Sequence, residues 1–304
     1  MSAERNYPIA TATQWAERGV SEWQLRQLVA AGELMILRRG VYARAADFAR
    51  ANPARQHAFH VTAAMLLTRG TASHKSAAIL HALDVLGHYP ADVVTLTRPP
   101  GSKGSRSSRN RVKIYSADLP PDQVTMIFGR PVTTPARTVI DIARTLTFMH
   151  GVVTADSALH NKKTTKQELA AVLAHCRDWP GAARAARVLD FCDHRAESVL
   201  ESCARVVFHK YGLPPPELQV DIFGKTGFIG RVDFCWPQYR TISEADGLMK
   251  YEKTPDLATD QLKRDQLIRE AEWKAVHFNW NQLFGETDRV ISWHKVAFAR
   301  ATPE

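Results

Sequence analysis

The stretch that decides the fold is SEWQLRQLVAAGELMILRRGVYAR, residues 21–44. Its first half spaces apolar residues as a helix does, behind a serine that can cap the helix start. Its second half reads as strand, tight turn and strand, with the turn at Arg38-Arg39-Gly40. A shorter helical segment, TATQWAERG at residues 11–19, precedes it. Helix, turn, helix and basic hairpin in this order predict a winged helix-turn-helix.

This arrangement predicts contact with double-stranded DNA. Polar side chains near the start of the second helix would enter the major groove, where glutamine and arginine can pair with base edges. The hairpin arginines would lie on phosphates or in the minor groove. The DNA-binding residues predicted here are Ser21, Gln24, Arg26, Gln27, Arg38 and Arg39. Winged helices also serve as protein-interaction modules, which is the alternative interpretation.

The charge of the chain is unevenly distributed. The net formal charge is +9, but residues 1–196 carry 26 basic and 15 acidic residues, whereas residues 197–304 carry 14 basic and 16 acidic ones. A basic front favours a polyanionic partner. Residues 98–113 form a Gly/Ser-rich stretch with six basic residues and no acid, which predicts a loop that grips a phosphate backbone, or else a solvated surface loop. Its predicted DNA contacts are Lys103, Arg106, Arg109 and Arg111.

Three domains of a mixed α+β class are predicted. They are a winged helix at residues 1–50, a mixed α/β middle domain at residues 51–195, and a further α/β domain at residues 196–304. The four widely spaced cysteines predict reduced thiols rather than a disulfide framework or a zinc site. A chain without a long apolar run or a leader-like start is expected to be cytoplasmic, with no membrane partner.

The last third of the chain brings carboxylates into register. Asp233 lies in one strand-like segment, Glu244 and Asp246 share a face of the next, and Glu201 lies on the preceding helix. Clustered carboxylates repel unless a cation lies between them, and oxygen ligands at this density suit Mg²⁺ or Mn²⁺. A cation bound there would activate water at a phosphodiester, and the lysine that follows in the chain, Lys250, would stabilise the charge that develops.

Two sets of motifs carry a resemblance to known families. The order of GLPPPELQ, GRVDFCWP and EADG, followed by Lys263-Arg264-Asp265, resembles the Vsr-like endonuclease-type domain of the PD-(D/E)XK superfold. The segments GVS at residues 19–21 and RRGVYA at residues 38–43 resemble the winged helix of AbiEi-family antitoxins. That class is paired with nucleotidyltransferase toxins and can repress its own operon.

The resemblance implies a DNA-binding regulator that acts as the antitoxin of a type IV toxin–antitoxin system and requires no cofactor. Its implied partners are double-stranded DNA and a nucleotidyltransferase toxin, with a second copy of the chain as a further candidate. The alternative is a Mg²⁺-dependent endonuclease whose catalytic residues are Glu201, Asp233, Glu244 and Lys250, and the resemblance implies by position that Asp233 and Glu244 are its metal-binding acids. The superfold pattern asks for Glu-x-Lys, whereas Asp246 stands at the third position here. An inactive nuclease fold used for packing or partner binding therefore stays an alternative.

Overall fold

The computed structural model describes residues 9–87, 89–102, 111–225, 227–246 and 255–299. Contacts divide the chain into two compact units, of which one is Met1–Thr154 with Lys162–Asp190 and the other is Ala155–Asn161 with Phe191–Glu304. Helices and strands occur together in both units. The mixed α+β class predicted from the sequence is thereby confirmed.

The first unit begins with a small sheet and two helices, which we call the helix–hairpin module. Its elements are β1 (Ile9–Thr11), α1 (Ala12–Glu17), α2 (Glu22–Ala30), β2 (Leu34–Arg38) and β3 (Val41–Arg44). β3 pairs antiparallel with both neighbours, so the strand order is β1-β3-β2. Both predicted helices and the hairpin are confirmed. β1 has no counterpart in the sequence prediction, because three residues are too few for an alternating pattern to show.

Two capping boxes fix where these helices begin. Thr11 Oγ1 accepts a hydrogen bond from the Gln14 backbone N–H at 3.2 Å, and the Gln14 side chain accepts one from the Thr11 N–H at 2.9 Å. Ser21 and Gln24 repeat the pattern at 3.3 and 2.8 Å. Each box satisfies two donors that a helix start would otherwise leave unpaired. Gly19, with φ 83°, makes the turn between the helices.

The rest of the first unit is built on a five-stranded sheet. The elements between residues 45 and 191 are α3 (Ala45–Ala49), α4 (Pro53–Leu67), β4 (Thr71–Ala72), α5 (His74–Leu80), β5 (Val94–Arg98), β6 (Val112–Ser116), β7 (Val124–Ile127), β8 (Arg130–Thr133), α6 (Pro135–Thr145), α7 (Phe148–His160), α8 (Lys166–His175) and α9 (Ala182–Phe191). Of these, α7 belongs to the second unit from Ala155 onward, and α9 ends one residue beyond the first unit. The strand order is β6-β5-β4-β8-β7. The β5–β6 and β4–β8 pairs are parallel, and the others are antiparallel.

Helix α4 joins the helix–hairpin module to this sheet. Phe59 and Ala63 pack in the module's core with Val41, whereas Val61 and Ala64 pack in the core of the five-stranded sheet. All five side chains are at most 5% exposed. Packing is therefore continuous across residue 50, where the sequence predicts a domain boundary, because one helix supplies apolar side chains to both cores.

The second unit is a four-stranded sheet with helices on both faces. Its elements after residue 191 are α10 (Val199–Lys210), β9 (Glu217–Gly224), β10 (Gly227–Trp236), β11 (Thr241–Asp246), α11 (Pro255–Glu270), β12 (Lys274–Asn279), α12 (Trp280–Gly285) and α13 (Thr287–Ala299). The order is β12-β11-β10-β9, with only the β11–β12 pair parallel within this sheet. Phe208 of α10 meets Phe234, Phe278 and His294 in one core, while Ile268 of α11 packs in the other.

Candidate nucleic-acid interface and carboxylate cluster

Helix α2 presents nearly all of its side chains to solvent. Leu25, which is 2% exposed, is its only buried residue, and Trp23 is 65% exposed. The predicted base-reading residues Gln24, Arg26 and Gln27 are all exposed. A helix of this kind adds little to the core through its own side chains, and its polar surface is open to a partner.

Polar groups at the start of α2 also serve the helix itself. The capping box uses the Ser21 hydroxyl and the Gln24 side-chain oxygen. Arg26 lies 3.6 Å from Glu22 one turn earlier, in a solvent-exposed pair that contributes little stability. Arg26 can therefore leave Glu22 for another anion at small cost, whereas engaging the Gln24 oxygen elsewhere would open the capping box.

The two hairpin arginines lie in different surroundings. Arg39 is exposed, whereas Arg38 is half-buried and donates a hydrogen bond from Nη2 to the Asp92 carbonyl at 3.0 Å. Burial lowers the pKa of the Arg38 guanidinium from its usual value. The hairpin thus offers Arg39 to solvent and uses Arg38 to hold the segment before β5.

The structure describes half of the predicted basic loop, namely residues 98–102 and 111–113. Lys103, Arg106 and Arg109 lie outside the described residues. Arg111 lies just before β6, with its Nε 2.7 Å from a carboxylate oxygen of Asp92. Asp92 therefore contacts Arg38 through its carbonyl and Arg111 through its carboxylate.

In the second unit, Gln219 joins two of the predicted acids. Its side-chain nitrogen donates to Glu201 Oε2 at 3.0 Å and to Asp233 Oδ1 at 3.1 Å. The second oxygen of Asp233 accepts from the Ala245 backbone N–H at 2.9 Å. Glu201 is also bound by the Glu197 N–H at 2.9 Å. Neutral donors thus hold these two carboxylates close to each other.

Glu244, the third predicted acid, faces an arginine. Arg264 of α11 approaches both of its oxygens, Nη1 to Oε2 at 2.9 Å and Nη2 to Oε1 at 2.8 Å. Gly230 on β10 makes room for this arginine, because a Cβ there would lie 2.5 Å from Arg264 Nε. Arg264 of α11 therefore supplies positive charge directly beside Glu244. Lys250, predicted for that role, lies outside the described residues.

A second group of potential metal ligands lies beside Glu244. The group consists of Glu244, Asp246 and His277. One potential ligand atom from each of these residues lies within 4.8 Å of the other two. His277 Nδ1 is 3.4 Å from Asp246, and its Nε2 is 3.8 Å from Asp265 of α11. Imidazole with two carboxylates can bind a divalent transition ion such as Mn²⁺. Asp233, predicted as a ligand, is not a member of this group.

The electrostatics of the cluster favour a bound cation or proton. Burial raises the pKa of Glu201, and the nearby charge of Asp233 raises it further. Burial also raises the pKa of Glu244, although Arg264 opposes the shift. The Asp246 carboxylate raises the pKa of His277 by hydrogen bonding to it. The two glutamate shifts reflect burial of carboxylates, whereas the histidine shift reflects a nearby carboxylate that stabilises the imidazolium against the effect of burial.

Sequence reasoning assigns no role to three residues that complete this cluster, namely Gln219, Arg264 and His277. Lys263-Arg264-Asp265 was a visible motif in α11, but no local pattern indicated which of its charges would point at Glu244. His277 pairs in register with Glu244 across the parallel β11–β12 ladder. That pairing follows from the sheet topology rather than from the sequence around either residue.

Comparison with known proteins places the central part of the chain in a family. The family model of the AbiEi antitoxin C-terminal domain matches residues 39–191, just over half of the 304 residues. The matched region includes the five-stranded sheet and α4 to α9. It includes neither α2 nor the carboxylate cluster.

Two curated proteins of Mycobacterium tuberculosis are each similar to this chain over 150 residues. They are the uncharacterized proteins MT2308 (strain CDC 1551 / Oshkosh) and Rv2248 (strain ATCC 25618 / H37Rv), each 35% identical over 150 residues, which is 49% of this chain and 55% of the relative. The chain therefore spans about half the length of the curated relatives it matches. The crystal structure of RV2827C protein from Mycobacterium tuberculosis aligns at a TM-score of 0.41 and 15% identity, covering 62% of this chain and 72% of that one.

A search of the described helices for a possible membrane span is negative, since none of them is both long enough and apolar enough to cross a bilayer.

Proposed function

Because the chain belongs to the AbiEi antitoxin C-terminal domain family, we propose that it is a DNA-binding regulator that acts as the antitoxin of a type IV toxin–antitoxin system. It would repress its own operon through a winged helix-turn-helix formed by the helix–hairpin module. It would neutralise a nucleotidyltransferase toxin through the region that matches the family.

The observation that carries the DNA-binding part is the exposure of α2. Nine residues form this helix and Leu25 is its only buried one, so the surface that would face a major groove is open. Arg26 and Gln27 are the side chains on that surface suited to base edges. Arg39 at the hairpin tip would contact phosphate, and the basic excess of residues 1–196 would supply long-range attraction. Arg38 belongs to the packing against Asp92 and is left out of the proposed interface.

A gel-shift titration against the DNA upstream of its own coding region tests this proposal. We expect salt-sensitive binding that falls by roughly tenfold or more in an Arg26→Ala/Gln27→Ala variant, since each base-edge contact contributes about 1–3 kcal/mol. Arg39→Ala should weaken binding to all duplexes alike, as loss of a phosphate contact does. Arg289→Ala, which changes an exposed arginine of α13, is the matched control. The proposal fails if wild type does not bind at low salt or if Arg39→Ala and Arg289→Ala bind alike.

The antitoxin part is tested by co-expression with a nucleotidyltransferase encoded beside this chain. We expect the full chain to restore growth. The Arg26→Ala/Gln27→Ala variant should restore growth equally well while losing repression of the operon, because neutralisation is assigned to residues 39–191. Failure of the full chain to restore growth would contradict the antitoxin role and leave DNA binding to stand by itself.

A metal-dependent endonuclease is the second candidate function. It is favoured by the potential metal ligands Glu244, Asp246 and His277, whose ligand atoms lie within 4.8 Å of one another. Mg²⁺ or Mn²⁺ bound there would activate water at a phosphodiester. The ion pair between Arg264 and Glu244 argues against an endonuclease, because the arginine already neutralises a carboxylate that a metal ion would need. Plasmid incubated with Mg²⁺ or Mn²⁺ tests this candidate. Cutting by wild type that disappears in Asp233→Ala and Glu244→Gln would support it, and intact plasmid with wild type would remove it.

A further inference from the structure

A cavity of about 650 Å³ lies in the first unit, within the region that matches the family. Its volume falls in the range of small-molecule binding sites. The charged residues that line it are three cations, Lys113, Arg144 and Arg184, and two acids, Asp118 and Asp141. The rings of His74, Tyr115 and Trp179 also line it. The α2 surface and the carboxylate cluster contribute no residue to it.

A buried surplus of positive charge lies against this cavity. Arg137 Nε contacts one oxygen of Asp141 at 2.9 Å, and Arg144 Nη2 contacts the other at 3.0 Å. The three residues are 0, 1 and 7% exposed in the order Arg137, Asp141 and Arg144. Two guanidiniums thus share one carboxylate, and a buried charge without a counter-ion is costly. The cluster is short of one anion.

Groups around the two arginines offset this surplus only in part. The Trp179 ring lies 4.8 and 4.9 Å from the two guanidinium carbons, and the Pro180 carbonyl accepts from Arg144 Nη1 at 2.9 Å. Arg144 Nε and Arg137 Nη2 are nevertheless buried without a hydrogen-bond partner in the part of the chain that the structure describes. Residues 103–110 contain no acid that could supply the missing charge.

His74 adds a strained residue to the cavity wall. It has φ 51°, a conformation that non-glycine residues rarely adopt, and it is 3% exposed. Its ring stacks on Tyr115 at 3.6 Å, and Nδ1 lies 2.9 Å from Ser73 Oγ. Its Nε2 is buried with no partner among the described residues. Strain together with an unsatisfied polar atom is typical of a ligand site.

Two more cations complete the wall. Arg184 is held in place because its Nε donates to the Ala143 carbonyl at 3.1 Å and its Nη2 to the Arg144 carbonyl. Lys113, on β6, extends along the Tyr115 ring, with Nζ 4.7 Å from the ring centre. Arg144, Arg184 and Lys113 therefore line one cavity, and arginines suit oxyanions because their N–H groups form paired, charge-assisted bonds.

We propose that this cavity binds the phosphate group of a small phosphorylated molecule, with Arg144, Arg184 and Lys113 contacting the phosphate and His74 Nε2 bonding to the same ligand. The four cations at the cavity, Arg137 included, face two carboxylates, Asp118 and Asp141, and the surplus of two positive charges matches a phosphate dianion. The volume exceeds that of a phosphate, so the ligand extends beyond its anionic group along the Tyr115 and Trp179 side of the cavity.

The test titrates the full chain with inorganic phosphate, ribose 5-phosphate and AMP, using calorimetry and thermal unfolding. We expect all three to bind and to raise the unfolding temperature, with the larger molecules binding more tightly than phosphate. Arg184→Gln should weaken binding roughly tenfold, since it removes one charged hydrogen-bonding partner. Arg187→Gln, an exposed arginine on the same helix and outside the cavity, should bind as wild type does. Lys113→Gln changes an exposed side chain and gives a second variant should Arg184→Gln fail to fold.

Three results would overturn the proposal. The first is that none of the three compounds binds or stabilises wild type. The second is that Lys113→Gln, or a folded Arg184→Gln, binds as tightly as Arg187→Gln. The third is that a DNA duplex displaces AMP and loses affinity in Arg184→Gln as strongly as AMP does, which would make the DNA backbone the source of the phosphate. Loss of AMP binding with operator binding intact would separate this cavity from the proposed regulatory function.

Discussion

The two compact units bury opposite charge imbalances. In the first unit, Arg137 and Arg144 share the single carboxylate of Asp141. In the second unit, the carboxylates of Glu201, Asp233 and Glu244 lie together, and Arg264 is paired with Glu244. The cluster in the first unit therefore has more cations than carboxylates, whereas the cluster in the second unit has more carboxylates than cations.

In a third buried cluster, one cation is matched by one carboxylate. Asp156 and Arg205 pair one to one at 2.7 Å, and Ser202 donates to the same oxygen of Asp156 at 2.8 Å. The other oxygen accepts from the Asp193 N–H at 2.8 Å. Its polar atoms are satisfied by the protein, which indicates a structural role. Charge imbalance, rather than burial, therefore marks the places where a ligand would be stabilising.

The strongest test of the imbalance is Asp141→Asn. Two buried guanidiniums would lose the carboxylate that they share, and we expect a loss of about 3–5 kcal/mol in the free energy of unfolding. Urea unfolding measures this change. Asp178→Asn, which breaks the exposed pair with Arg177, should cost less than about 1 kcal/mol. Equal effects of the two substitutions would show that the Asp141 cluster carries no special electrostatic weight.

Gly181→Ala tests the backbone that closes the same cluster. A Cβ at Gly181 would lie 2.1 Å from the Arg144 carbonyl oxygen, and Gly181 has φ 83°. Since backbone cannot swing away as a side chain can, we expect a loss of about 3 kcal/mol on urea unfolding. Gly129→Ala, at φ 68° with open space around it, isolates the cost of the conformation and should lose about 1 kcal/mol. The contact explanation fails if both variants lose the same amount.

Gly230→Ala is the counterpart in the second unit. The added Cβ meets the mobile end of Arg264, so the arginine can move at a cost of about 1 kcal/mol. Glu244 would lose its positive partner, and we expect Mn²⁺ to bind more tightly in calorimetric titrations. Gly285→Ala, where the Cβ meets open space, is the control. Unchanged Mn²⁺ affinity in Gly230→Ala would mean that Arg264 does not compete with a cation.

Glu201→Gln should change the pH dependence of stability. The folded-state pKa of Glu201 is raised by burial, so its stabilising contribution is present below its usual pKa of 4.5 and is lost as pH rises through the folded value. The stability of wild type relative to Glu201→Gln should therefore fall as pH rises from 4.5 to 7. Urea unfolding across that range measures the difference. A constant difference would show that Glu201 titrates normally.

Local signals in the sequence predicted much of the helix–hairpin module. Ser21 and Gly19 mark the ends of helices through hydrogen bonds and backbone freedom within one turn, and Gly40 marks the hairpin. The direction of each arginine could not be predicted in this way. Arg38 turns to Asp92, which lies 54 positions further along the chain, and only the packed structure brings them together.

The carboxylate cluster likewise combines a feature that the local sequence predicted with contacts that only the packed structure shows. Strand alternation correctly predicted that Glu244 and Asp246 share a face, because neighbouring side chains of a strand point to opposite sides. Arg264 and Gln219 reach the same point from other elements. Their distances to the acids depend on the order of strands and on where α11 lies over the sheet.

The sequence by itself determined the two helices and the hairpin of the helix–hairpin module and the strand face that Glu244 and Asp246 share, because capping, turns and alternation act over a few residues. The tertiary structure alone decided which charges are compensated. Arg137, Asp141 and Arg144 stand within two turns of α6, yet nothing near them in sequence reveals that all three are buried or that Trp179 lies against both arginines. Burial and counter-ions are set by contacts between distant segments, and these turn three ordinary helix residues into a candidate anion site.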